Sequence, residues 1–235
     1  MGKTMIEDNL VKINARISRA CAQAGRQIDS VTLVAVVKNR TLKDIGDLVE
    51  AGIGHIGENK VQDALVKHRA ISQVSHAGPD IKWHMVGHLQ TNKVKDALGI
   101  FDLIHSVDSL HLAQEIDKQA AKINKTQDVL IEVNTSGQIS KFGLEAKEAV
   151  EGAREISRLK NITIKGLMTI APLSDEPGQA RPYFRMLREL RDKINVLSFT
   201  PCPLSILSMG MSDDFEVAIE EGANMVRIGQ AIFED

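Results

Sequence analysis

The chain has 235 residues, and its 43% hydrophobic and 26% charged content is ordinary for a soluble globular protein with one large core or two small ones. Lysine and arginine total 29 against 31 aspartate and glutamate, and aromatic residues make up only 3%. Binding to nucleic acid is disfavoured, because it usually needs a basic face with stacking rings. Cys21 and Cys202 lie far apart and argue against a disulfide framework or a zinc site. The first residues lack the apolar core of a signal peptide and no apolar stretch reaches membrane-spanning length, so we expect a cytoplasmic protein without membrane contact.

The first element is predicted to be a helix. Apolar residues recur at spacings of three and four, the period of one helix face, at Ile6, Leu10, Ile13 and Ile17. Gly25 is expected to end this helix.

Eight short runs rich in β-branched residues follow, and each predicts a strand. Most are apolar on consecutive rather than alternate residues, which is typical of parallel strands that are covered on both faces. The runs are 31–37, 53–57, 82–87, 103–107, 129–134, 162–168, 204–209 and 225–229.

Longer amphipathic segments separate these runs and predict helices. The clearest is 109–124, with Ser109 as its N-cap, and others are expected over about 179–195 and 214–221. After the third strand the apolar stripe is thin.

This alternation predicts an α/β fold: a single (β/α)8 barrel of the TIM type with an extra N-terminal helix, spanning 1–235 as one domain. The alternative is an open doubly wound sheet, and the absence of a GxGxxG motif after any early strand counts against it. In a barrel, residues that follow the strands lie at the C-terminal mouth and are candidates for a site.

Lys38 directly follows the first strand. Placing a lysine at the tip of a buried strand costs free energy unless its amine has a partner or a chemical role. Two roles are usual: pairing with a fixed anion, or forming an imine with a carbonyl compound.

The segments after the last two strands suggest a phosphate site. Ser208 and Gly210 follow the seventh strand, and Gly229 and Gln230 follow the eighth. Loops at these positions of barrels frequently bind phosphate, because glycines let the backbone approach the anion and helix N-termini direct N–H groups at it. On the local pattern alone, a plain turn of the chain at the two glycines is an equally good interpretation.

Arg227 lies between two apolar residues of the eighth strand and is expected to point into the barrel. It could pair with a carboxylate on a neighbouring strand or meet a bound ligand. A pocket for pyridoxal phosphate is indicated when Arg227 is combined with Lys38 and a phosphate site. Lys38 would form the imine, and Arg227, a permanent cation, would keep the ring nitrogen unprotonated and the ring a poorer electron sink.

Several long motifs resemble those of the pyridoxal phosphate homeostasis protein family, the YggS-like proteins, nearly end to end. They are GEN (57–59), WHMVGHLQTNK (83–93), VNTSG (133–137), SKFG (140–143), GLMTI (166–170) and LSMGMSDD (207–214). The chain departs from the family around Lys38, where Val37 and Asn39 replace the usual serine and threonine and the proline that follows shortly after is missing.

The resemblance implies a barrel related to the N-terminal domain of alanine racemase, with pyridoxal 5'-phosphate held as an aldimine on Lys38. It further implies that Asn59 lies near the ring and that Arg227 meets the ring nitrogen. The phosphate would be held by Ser208 and by the backbone of Gly229 and Gln230.

Other polar residues have less specific interpretations. His84 and His88 are four apart, but a hydrogen-bonded histidine near the mouth is favoured over a metal ligand, since His84 falls on a strand. Lys93 and Lys141 are expected at the rim, and a role of Lys141 in cofactor transfer is a weaker hypothesis.

We expect a non-catalytic protein that buffers or delivers pyridoxal phosphate, as a monomer, with transient contact to the apo-enzymes that use it. A racemase needs a proton acceptor on each face of the imine. The related racemases take the second, a tyrosine, from a separate domain, whereas this chain ends six residues after Gly229 and its one tyrosine, Tyr183, falls on an outer helix. The alternatives are a slow amino-acid racemase or other enzyme using the same pocket, and a sugar-phosphate barrel in which Lys38 and Arg227 only bridge charged groups.

Overall fold

A computed structural model describes residues 4–74 and 81–234. Its sheet is a closed parallel barrel in the order β1-β2-β3-β4-β5-β7-β8-β9, with β9 pairing with β1. A two-residue strand, β6, which was not predicted, pairs with β5 outside this ring. The strands are β1 (Thr32–Val36), β2 (His55–Glu58), β3 (Lys82–Met85), β4 (Leu103–Val107), β5 (Gln127–Asn134), β6 (Leu144–Glu145), β7 (Ile162–Met168), β8 (Ile206–Ser208) and β9 (Met225–Ile228). The predicted (β/α)8 barrel is confirmed, and the open sheet is wrong.

Helices surround the barrel. The three predicted segments correspond to α5, α7 and α8 with ends that differ by one or two residues, and the helix after the third strand has only four residues, in keeping with its thin stripe. Helices α2, α3 and α6 were not individually predicted. The helices are α1 (Met5–Gln23), α2 (Leu42–Glu50), α3 (Val61–Val74), α4 (Val94–Ala97), α5 (Leu110–Lys122), α6 (Ala149–Ile156), α7 (Arg181–Leu197), α8 (Phe215–Glu220) and α9 (Gln230–Phe233).

Helix α1 is the predicted extra N-terminal helix, and it ends two residues before Gly25. Thr4 and Glu7 form a reciprocal capping box at its start. Its predicted apolar stripe is buried against α8 and α9, and Arg16 pairs with Glu216 of α8. The extra helix therefore covers the helices that follow the last two strands.

Each barrel strand presents one face to the surrounding helices and one to the interior, as the consecutive apolar runs predict. The outward residues belong to the large core between sheet and helices, for example Val226 and Ile228 of β9. A smaller apolar cluster fills part of the interior and consists of Val34, Leu103, Leu130, Met168 and Met225. Within the described part of the chain, none of the helices combines the length and apolar composition needed to cross a membrane.

Candidate functional site

A cavity of about 520 Å³ opens at the carboxyl ends of the barrel strands. This volume lies within the usual range of small-molecule sites, which is roughly 300–1,000 Å³. Five of the six predicted site residues line it: Lys38, Asn59, Arg227, Gly229 and Gln230. They come from the ends of β1, β2 and β9, so barrel closure brings together residues that are far apart in sequence.

Lys38 lies in a turn directly after β1. It is in phase with Val34 and Val36, whose side chains face the interior and the cavity, and it therefore points to the mouth. The side chain is exposed. The expectation that this lysine is buried at the strand tip, at a cost in free energy, is therefore wrong. Asn39 completes the turn with φ of 60°, a left-handed conformation that asparagine adopts more readily than most residues.

A buried ion pair outside the barrel supports the ends of β1 and β2. The Lys67 ammonium on α3 donates to the carbonyl oxygen of Val37 at 2.6 Å and pairs with the carboxylate of Glu58, which is 0% exposed. The other Glu58 oxygen accepts a hydrogen bond from the backbone N–H of Asn59 at 2.9 Å. The pair thus fixes the backbone beside both Lys38 and Asn59. Sequence reasoning missed it, because nothing in the local pattern links α3 to these strand ends.

Arg227 points into the barrel, as predicted, and is 4% exposed. Its guanidinium donates to the Ser208 hydroxyl at 2.7 Å and to the Thr169 carbonyl oxygen at 3.0 Å. Both acceptors are neutral, and within the described residues Arg227 forms no ion pair with a carboxylate, so the structural salt-bridge interpretation is not supported. Burial lowers the pKa of Arg227 to about 10, opposed by the charges of Glu132 and Asp214, and the group keeps its charge at neutral pH.

Ser208 lies one layer below the cavity. It is 0% exposed, ends β8 with its side chain turned into the barrel, and does not line the cavity. Four residues later Ser212 does line it, and its hydroxyl accepts a hydrogen bond from the backbone N–H of Ala231 at 3.3 Å. This placement differs from the expectation that Ser208 contacts a phosphate, because the strand pleat directs Ser208 inward before the loop to the mouth begins.

Two glycines shape the backbone of this part of the mouth. Gly210 has φ of 93°, and a Cβ atom there would lie 2.6 Å from the Cβ of Ala218 and 2.8 Å from the Cα of Phe215. A Cβ atom on Gly229 would lie 3.2 Å from the Val36 carbonyl oxygen, beside the cavity. Gly210 leaves no room for a side chain, whereas Gly229 is half-buried and lines the cavity, where its backbone can approach an anion.

The two histidines singled out in the sequence do not come together. His84 is 2% exposed inside the barrel, where its ring nitrogens lie 2.9 Å from those of His55 and His105. His88 is exposed at the rim, pairs with Asp108 at 3.0 Å and stacks on Phe142. The preference for a hydrogen-bonded His84 is confirmed, although the residue lies in the barrel interior rather than at the mouth.

Lys141 lies on the loop after β5 and is half-buried. Its ammonium donates to the carbonyl oxygens of Ile170 and Ala171, at 3.1 and 2.8 Å, and burial lowers its pKa. Ile170 lines the cavity, so Lys141 fastens one wall of the mouth. Nearby, burial and the Asp108 carboxylate raise the pKa of Glu132 to about 7, against the charges of Arg227 and Lys141.

Comparison with known proteins gives a consistent result. Residues 9–235 match the family model of the alanine racemase N-terminal domain. The chain is 44% identical over 226 residues to the pyridoxal phosphate homeostasis protein of Aquifex aeolicus, covering 96% of each chain.

Solved structures agree with this result. PipY of Synechococcus elongatus, whose structure has pyridoxal phosphate bound, is 30% identical, with a TM-score of 0.83 over 97% of this chain and 100% of that one. A protein of Bifidobacterium adolescentis described as unknown gives a TM-score of 0.89 at 38% identity, over 97% of this chain and 94% of that one.

The fold is thus that of an alanine racemase N-terminal-type barrel. Within that class, the chain belongs to the pyridoxal phosphate homeostasis protein family.

Proposed function

We propose that this chain binds pyridoxal 5'-phosphate in the mouth cavity, holds it covalently on Lys38 and serves to buffer or deliver it. The observation that carries the proposal is the convergence of Lys38, Arg227 and the Gly229 backbone on one cavity of suitable size. The structure of PipY with pyridoxal phosphate bound supports the choice of ligand.

Lys38 has the position that imine formation requires. Its amine lies at the mouth, where the aldehyde of an incoming ligand can reach it. The amine nitrogen adds to the aldehyde carbon, one water leaves, and a C=N bond forms; addition of water reverses the reaction and releases the ligand. An accessible lysine suits a protein that must release its cargo.

The remaining residues provide the other contacts that the ligand needs. Gly229, Gln230 and Ser212 would hold the phosphate, since their backbone and hydroxyl groups line the cavity beside the start of α9. Asn59 would lie near the ring. Arg227, charged and fixed by Ser208 and Thr169, would face the ring nitrogen and keep it unprotonated. Arg40 also lines the cavity, where it pairs with Glu234 at 3.1 Å.

A carrier is favoured over an amino-acid enzyme because an unprotonated ring is a poor electron sink, and Arg227, which stays protonated at neutral pH, would not transfer its proton to the ring nitrogen. Tyr183, the one tyrosine of the chain, belongs to α7 and does not line the cavity. The carrier would act as a monomer and meet apo-enzymes transiently. Turnover of a panel of L- and D-amino acids at about 1 to 1,000 per second would overturn this assignment in favour of an enzyme.

The covalent link is tested by absorbance and by mass spectrometry. The purified protein with pyridoxal phosphate is expected to absorb near ~420 nm, as imines of this cofactor do. Borohydride reduction should abolish that band and leave one pyridoxyl group on the peptide that contains Lys38. Lys38→Ala should lose both signals.

Lys43→Ala is the matched control, since Lys43 is an exposed lysine on α2 only five residues further along the chain. This variant should keep the band and the adduct. An adduct on other lysines, or a band that survives in Lys38→Ala, would show that pyridoxal phosphate reacts nonspecifically and that the proposal is wrong. Transfer to an apo-enzyme measured with Lys141→Ala tests the separate hypothesis for that residue, and an unchanged rate would eliminate it.

A further inference from the structure

A chain of hydrogen bonds runs through the barrel interior and ends at Arg227. His55 Nδ1 lies 2.9 Å from His84 Nε2, His84 Nδ1 lies 2.9 Å from His105 Nε2, and His105 Nδ1 lies 2.9 Å from Ser208 Oγ. The four residues belong to β2, β3, β4 and β8, so the chain crosses the barrel. It begins at the N-terminal end of β2, where His55 is half-buried, and ends at the carboxyl end of β8.

The three histidines are neutral at physiological pH. Burial lowers the pKa of His84 to about 3, holds the pKa of His105 well below its ordinary value, and lowers the pKa of His55 as well. A neutral imidazole has one ring nitrogen that donates and one that accepts. Each hydrogen bond of the chain therefore contains one proton, and every histidine must donate in the same direction along the chain.

Arg227 decides which direction that is. A guanidinium only donates, so the Ser208 oxygen must accept from it. The Ser208 hydroxyl proton then goes to His105 Nδ1, which is the other partner of this oxygen among the described residues. His105 in turn donates from Nε2 to His84, and His84 from Nε2 to His55. The opposite direction would leave the Ser208 proton without an acceptor at a fully buried position.

We propose that His105, His84 and His55 are positioning residues for Arg227, which they hold through Ser208 as an ordered chain of Nε2–H tautomers. The main-chain carbonyl of Thr169, the residue after β7, accepts from the second guanidinium nitrogen, so Arg227 is held at the ends of both β7 and β8. The role of Arg227 toward the ring nitrogen rests on the proposed function, whereas the order of the chain rests on the geometry of the protein alone.

The order of the chain is tested without any ligand. Protein labelled with ¹⁵N in its histidine rings is examined by long-range ¹H–¹⁵N correlation at pH 7, with signals assigned from single histidine-to-glutamine variants. His84 and His105 are expected as Nε2–H tautomers. An Nδ1–H tautomer or a doubly protonated ring at either position would overturn the proposal.

The positioning of Arg227 is tested by a ratio of affinities. Pyridoxal phosphate is compared with a 1-deaza analogue that has C–H in place of the ring nitrogen, so the ratio of the two dissociation constants isolates the contact to that atom. The natural protein is expected to favour pyridoxal phosphate by about tenfold. His84→Leu, which removes the residue three hydrogen bonds away from Arg227, should bring the ratio close to one.

Two further variants complete the test. His84→Gln keeps one donor and one acceptor and should restore part of the ratio, and His111→Leu, on the exposed face of α5, should not change it. If a folded His84→Leu protein keeps the same ratio of dissociation constants as the natural protein, the positioning role is overturned. Failure of the natural protein to bind either ligand would instead overturn the proposed function, and the tautomer measurement would still decide on the chain.

Discussion

The ion pair between Lys67 and Glu58 allows a quantitative prediction about the support beneath the cavity. Glu58 is 0% exposed, and the Lys67 side chain is 12% exposed. Lys67→Met keeps the apolar length of the side chain but leaves the Glu58 carboxylate buried without its counter-ion. Breaking a buried pair from one side costs about 3–5 kcal/mol, mainly because a charge is left unpaired. For a chain of this size that loss corresponds to a melting temperature about 6–20 °C lower.

A second variant separates the charge from the packing. Glu58→Gln combined with Lys67→Met removes both charges, while the glutamine oxygen can still accept from the Asn59 N–H. We expect the double variant to regain most of the stability that Lys67→Met loses, within about 1–2 kcal/mol of the natural protein. Urea denaturation and thermal melting of the three proteins give the free energies of unfolding.

The structure also predicts what the double variant does not regain. The hydrogen bond from Lys67 to the Val37 carbonyl is still lost, so the turn that carries Lys38 remains looser and imine formation should be slower than in the natural protein. Lys43→Met, on the exposed face of α2, should cause no measurable change in stability or rate. A loss below about 1 kcal/mol in Lys67→Met, or a double variant no more stable than the single one, would refute the reasoning.

Three further predictions concern backbone conformation and pH. Gly210→Ala should destabilise the protein by about 2–3 kcal/mol in urea denaturation, because φ of 93° and contacts of 2.6 and 2.8 Å leave no room for a Cβ atom; an effect below about 1 kcal/mol would contradict this geometry. Asn39→Val should lower the free energy of unfolding by about 1–2 kcal/mol, because a β-branched residue is strained at φ of 60°, whereas Asn39→Gly should leave it nearly unchanged. Equal losses of stability in the two variants would rule out the left-handed turn beside Lys38. Burial raises the pKa of Glu132 from 4.5 to about 7, so the folded state binds the Glu132 proton more tightly than the unfolded state does. The free energy of unfolding should therefore fall as pH rises from 4.5 to 7, by about 3 kcal/mol in total. In Glu132→Gln the free energy of unfolding should not show this decrease between pH 4.5 and 7. Parallel curves of unfolding free energy against pH for the two proteins would contradict the raised pKa of Glu132.

The fold could be predicted from the sequence because its signals are local. Eight apolar runs with the composition of buried parallel strands, separated by amphipathic segments, leave few other arrangements for a chain of this length. The residues directly after strand ends could be predicted as well, since all such residues of a barrel meet at one mouth. Lys38 and Gly229 were located by their strand ends and Asn59 by the family resemblance, and all three line the cavity.

The layer beneath the cavity could not be predicted in this way. How deep in the barrel an inward-facing serine lies depends on the stagger of the strands, which is set by pairing across strands and not by the local sequence. Ser208 ends β8 below the cavity, and Ser212, in the loop four residues later, lines it. The contact between His105 and Ser208 joins residues 103 positions apart. No spacing rule connects such residues before the barrel closes.

The two supporting networks act on different sides of the same cavity. Lys67 and Glu58 hold the ends of β1 and β2 from the outer face of the sheet, where α3 packs, whereas Ser208 and the histidines hold Arg227 from the interior. The hydrogen bonds that link the residues of each network are formed within the protein, without a ligand. The groups that would meet an aldehyde and a ring nitrogen are therefore placed before binding, and little binding energy has to go into ordering them. Because Lys38 itself stays exposed, the site combines a fixed floor with an accessible amine, which suits the reversible loading proposed above.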